Sequence, residues 1–108
     1  MKELIQKLND LKILQTSGDW EEDIPEEIYT EYFENNFREI EEELDVEKHR
    51  HYELSTTVIE LIEDGHEFLM GIRVISKLYS DMSMFEDVYH YLEFFEMQQV
   101  EAITYVRV

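Results

Sequence analysis

"RHYELSTTVIELIEDGHEFLMGIRVISKLY", residues 50–79, decides the fold. Two runs rich in β-branched and aromatic residues flank Glu63-Asp64-Gly65-His66. Asp-Gly between such runs is a strong two-residue hairpin signal, because the tight turn needs positive φ at its centre. That turn sets a register in which Leu61 faces Phe68, Ile59 faces Met70 and Leu54 faces Ile75. Apolar residues occur on both sides of each strand, so a bulge or a covered second side is expected.

Downstream, "SDMSMFED" (80–87) reads as a loop or a single helical turn. "VYHYLEFFEM" and "VEAITYVRV" have β character, with Val100, Ala102, Thr104 and Val106 alternating against Glu101, Tyr105 and Arg107. A helix over 84–97 is the competing reading of the former. Upstream, "KELIQKLNDLKIL" repeats Leu4, Leu8 and Leu11 at helical spacing with Ile5 beside them, and Gly18 follows as the helix stop. Trp20 is expected to fold back onto the core. "DIPEEIYTEYFENNFREIEEELD" (23–45) reads as a second helix, with Pro25 in its first turn. Tyr29, Phe33, Phe37, Ile40 and Leu44 would share one side of it with Ile28 and Tyr32, and Asn35-Asn36 could kink or break it. Helices followed by strands imply an α+β domain, residues 1–108, divided into an acidic helical part (1–47) and a β-rich part (50–108). The expected architecture is N-terminal helices on one face of an antiparallel sheet of about four strands.

Charge is the outstanding bulk property. The 108 residues carry 27 Asp+Glu against 9 Lys+Arg, a formal net charge of −18. Such a surface favours basic partners. Direct nucleic-acid binding is not expected without a basic stripe, nor is an anionic membrane surface. No apolar run approaches the ~18 residues of a membrane helix. "MKELIQKLND" reaches charge too soon for a signal peptide, and the 44% hydrophobic content argues against disorder. With no cysteine there is neither a disulfide framework nor a thiol nucleophile, and a cytoplasmic protein is expected.

Chemistry-bearing motifs are sparse. Glu47, His49 and His51 in "EKHRHYE", joined by His66 or His90, invite a metal reading, since extended His49 and His51 would point to one side. The spacing matches no established zinc pattern, so no metal is expected. Ser55, Ser76, Ser80 and Ser83 lack a nucleophile elbow, and three glycines make no phosphate-binding loop. Neither enzyme activity nor a cofactor is expected.

The acidic run is the feature with quantitative content. Asp19 to Glu47 holds fourteen carboxylates and one cation, Arg38. Ten of them, Glu26, Glu27, Glu31, Glu34, Glu39, Glu41, Glu42, Glu43, Asp45 and Glu47, form the candidate partner-binding surface. On a helix they would span roughly 33 Å at about 1.5 Å per residue. One charge per about 3.3 Å approaches the phosphate spacing of a DNA strand. Glu41 to Asp45 would also crowd the end of the helix where its dipole favours cations, a local conflict of the kind that function often explains. A solvated acidic face with no target is the plain alternative.

"RHYELSTTVIEL", "GIRVISKLYSDMS" and "FFEMQQVEAITYVRV" resemble small accessory proteins carried by phages and prophages of Gram-positive bacteria. The resemblance covers 50–108, leaves the acidic half outside it and transfers no residue role. It implies a mobile-element origin. Small acidic proteins of that origin often block host-defence nucleases, as anti-CRISPR and anti-restriction proteins mimicking nucleic acid. An immunity protein or antitoxin against a basic nuclease is the alternative, as is a structural or homo-oligomeric phage accessory protein. The expected partner is thus a basic protein surface, a nuclease or other nucleic-acid-binding protein, with self-association as a further expectation.

Overall fold

The computed structural model describes residues 2–16, 18–63, 65–79, 90–101 and 104–108. A five-stranded antiparallel sheet runs in the order β1-β2-β3-β4-β5: Phe37–Lys48, Tyr52–Glu63, His66–Leu78, Glu93–Val100 and Thr104–Arg107. Before it come α1 (Lys2–Asp10), α2 (Trp20–Asp23) and α3 (Glu26–Ile28), the last continuing into a π-helical turn, Tyr29–Phe33. The molecule is α+β, with five strands where four were expected.

The hairpin forms in the expected register. Leu61 pairs with Phe68, Ile59 with Met70 and Leu54 with Ile75. Gly65 supplies a φ of +79° at the turn, a conformation that costs glycine least. The expected irregularity lies at the far end, where the register shifts between Glu53 and Leu54. Alternate positions of β2 feed two apolar clusters. Ile59 and Leu61 join Met70, Ile72, Phe94 and the helical residues Leu4, Leu8, Trp20, Ile28 and Phe33. Val58 joins the smaller cluster with Phe95 and Met97, against which Leu44, Leu69 and Tyr105 pack. Gly71 permits that packing, because a Cβ there would run into the Phe95 ring and lie 2.8 Å from Met97 Sδ.

The second helix of the sequence reading is overturned. Helical structure stops at Phe33, Asn35 takes a φ of +61°, and the chain enters β1 at Phe37. Phe37 still packs with the residues it was grouped with. Its ring meets those of Trp20, Tyr29 and Phe33 at 5.5–6.3 Å between centroids, all edge-on. Two forces favour the strand. Like charges at Glu39/Glu43 and Glu41/Asp45 would repel at helical i,i+4 spacing, and β2 offers a free edge. The acidic part of the chain is therefore not wholly helical, and the dipole conflict at Glu41–Asp45 does not arise.

Two smaller corrections follow. α1 ends at Asp10, with Lys12 at a φ of 50°, so Gly18 does not terminate it and Leu11 is left exposed. Val100 pairs with Thr104, so 100–108 is not one strand, and Ala102 lies outside the described residues. The β character read in "VYHYLEFFEM" holds from Glu93 to Met97, while 80–87 and the start of the alternative 84–97 helix lie outside the described residues. Trp20 is buried, as expected.

Two amides finish the sheet where strands run out of partners. Asn9 of α1 accepts from the Phe94 N–H and donates to the Phe94 carbonyl, both at 2.8 Å. Gln15, 1% exposed, accepts from the Ile75 N–H at 2.7 Å and donates to the Ile75 carbonyl at 3.4 Å. Each amide presents a donor and an acceptor as a neighbouring strand would, satisfying backbone groups that are costly to bury unpaired.

An acidic cleft beside a bulged edge strand

β1 is an edge strand, and its pairing with β2 slips three times: between Glu39 and Glu41, Glu41 and Leu44, and Leu44 and Glu47. Glu43 and Asp45 take φ values of 56° and 51°, in the left-handed region that ordinary side chains avoid. The slips change which carboxylates share a side. Glu39 pairs with Ile59, but Glu41 pairs with Val58, whose side chain belongs to the opposite cluster. Glu42 therefore returns to the Glu39 side, which a strict two-residue period forbids.

The result is a cleft of about 410 Å³. Asp19, Trp20 and Glu21 line it from α2 and its cap, and Glu39, Glu42 and Glu43 from β1. Ser55, Thr57 and Ser76 bring hydroxyls to the lining, with Val74 and Ile75. Asp19 caps α2 by accepting from the Glu21 N–H at 3.0 Å. Thr16 holds the far end of α2, its N–H and hydroxyl donating to the Asp23 carboxylate at 3.2 and 2.6 Å. Crowding raises proton affinity. The hydrogen bond Glu39 shares with Glu42 pushes its carboxyl up to about 7, aided by desolvation and the charges of Glu42, Glu21 and Asp19. Glu21 is also raised, by burial first and Asp19 second. Ser55 Oγ is buried with no hydrogen-bond partner among the described residues. An unsatisfied buried hydroxyl costs on the order of 1–3 kcal/mol.

All ten carboxylates chosen from the sequence are exposed. The cleft gathers Glu39, Glu42 and Glu43; Glu26, Glu27, Glu31, Glu34, Glu41, Asp45 and Glu47 do not line it. Glu47 is engaged within the molecule, 2.6 Å from Arg73 Nη2 and 2.9 Å from His49 Nε2. Arg73 also donates to the Asp45 carbonyl at 2.9 Å, pinning the bulged end of β1. The other cations with close partners are Arg38 on Glu60, Arg107 on Glu93 and, more loosely, Lys77 on Glu53. No described cation pairs with the other nine chosen carboxylates.

His49 and His51 do not lie in one extended run. They occupy the connection between β1 and β2, where His49 stacks on Tyr52 at 4.7 Å between ring centroids. Among the described residues, no three His, Asp or Glu side chains are grouped as metal ligands would be. Sequence reasoning weighed Ser55 only as a nucleophile and did not select Asp19 and Glu21. The first interrupts an apolar strand with a hydroxyl, the signal that could have found it; the other two sat unselected in the acidic run. Among the described residues no helix is long and apolar enough to cross a membrane. Comparisons with protein-family models, curated proteins and solved structures give no match.

Proposed function

We propose that the protein is an acidic inhibitor, of phage or mobile-element origin, that occupies the nucleic-acid-binding cleft of a basic host-defence protein of the anti-CRISPR or anti-restriction target type. The observation that carries this reading is the set of nine exposed carboxylates from Glu26 to Asp45 that pair with no cation among the described residues. The spacing differs from a helix. Glu39 to Glu47 spans about 26 Å at ~3.3 Å per strand residue, one carboxylate per roughly 5 Å. That is looser than the ~3.4 Å spacing of phosphates along one DNA strand. Support for mimicry therefore comes from density and exposure of charge more than from matched spacing.

A second reading rests on the three register slips. Charge and bulges on an edge strand prevent another strand from adding to it. One variant separates the two: Glu41→Gln, Glu42→Gln and Glu43→Gln with Asp45→Asn, assayed against a CRISPR effector or restriction enzyme from a Gram-positive host across a salt series. Mimicry predicts weaker inhibition, chiefly through slower association, and a shallower salt dependence. Edge protection alone predicts unchanged inhibition with a new concentration-dependent oligomer in light scattering. A parent protein that inhibits no such enzyme but neutralises a basic nuclease toxin would replace the proposal with the immunity reading.

A further inference from the structure

The cleft between α2 and β1 contains more than negative charge. Ser55 is 1% exposed, lies in the lining and has no hydrogen-bond partner among the described residues. Carboxylates line it from two elements, Asp19 and Glu21 at α2 and Glu39 and Glu42 on β1. At about 410 Å³ the space falls within the range of small-ligand sites and far exceeds a single ion. Trp20 and Val74 add apolar lining that suits a hydrocarbon stem or a flat delocalised cation better than a hydrated metal.

We propose that this cleft is a receptor for one guanidinium group, the side chain of an arginine presented by a protein partner. A guanidinium carries five N–H donors in a planar fork and no acceptor. Its donors can engage a carboxylate in pairs, and entry that parts the lining over the solvent-shielded Ser55 Oγ gives that hydroxyl the partner it lacks. Lysine offers a point charge and cannot satisfy separated acceptors in one plane. The raised proton affinity of Glu39 agrees with this geometry, since an entering cation would replace the proton that now relieves the repulsion with Glu42. This inference deepens the inhibitor reading by naming what the partner inserts.

The test needs no inhibition target, so its failure and that of the inhibitor reading can be told apart. A capped glycine-serine peptide with one central arginine is titrated into the isotopically labelled protein, with citrulline and lysine versions beside it. Saturable amide shifts confined to 19–21, 39–43 and 55–57 are expected for the arginine peptide. The citrulline peptide should bind about tenfold more weakly or not at all. Ser55→Ala, whose retained fold the same spectrum verifies, should weaken arginine binding severalfold and remove its preference over lysine. Equal binding of the citrulline peptide overturns the proposal. So do shifts spread equally over 26–34, an unaltered arginine preference in Ser55→Ala, or tighter occupation of the cleft by spermidine than by the peptide.

Discussion

β2 is paired on both sides, and its two neighbours behave differently. With β3 it holds one register over most of twelve pairs, from Glu63–His66 to the slip near Leu54. With β1 the register slips three times, and two β1 residues adopt left-handed backbone. The β3 side carries Ile59, Leu61, Met70 and Ile72 into the core, where a one-residue slip would turn every apolar side chain to the wrong side. β1 buries no residue fully, so slippage costs it little core contact. Register follows burial, and where burial is absent charge and bulges take over.

The largest expected effect tests the regular side. Ile59→Ala removes a side chain with no exposure and should cost about 2–5 kcal/mol in denaturant unfolding. A loss below about 1 kcal/mol would mean that the hairpin does not anchor the core. The intermediate effect tests the irregular side. Glu43→Gly removes the steric penalty of left-handed backbone and should stabilise by about 1 kcal/mol in the same measurement. Destabilisation there would place Glu43 in a regular strand conformation and erase the contrast between the two edges.

The smallest effect is electrostatic, because Glu39 is exposed and solvent screens its interactions. Glu39 binds its proton up to about pH 7 in the folded state, against an ordinary 4.5 unfolded. The folded protein therefore holds the extra proton between these values, and this group's contribution to stability falls as pH rises from about 4.5 to about 7. Glu39→Gln should flatten that part of the stability profile, measured by melting temperature against pH. An unchanged slope would show that Glu39 and Glu42 do not share a proton.

What the sequence determined by itself was local. Asp64-Gly65 and the flanking two-residue period specify the hairpin and its three apolar pairs, because turn chemistry and alternation act within thirty residues of chain. Net charge and the exposure of the acidic run were equally legible, since carboxylates stay in water unless paired. The fate of 34–48 was decided only by tertiary structure. Glu is a good helix former and Phe33, Phe37, Ile40 and Leu44 fit helical spacing, so local preference pointed to helix. A free edge on β2 supplies backbone partners that no local pattern reveals, and pairing there overrides propensity. The cleft is a consequence of that choice. Only the register slips bring Glu42 onto the side of Glu39, and only the fold sets α2 and Ser55 against them.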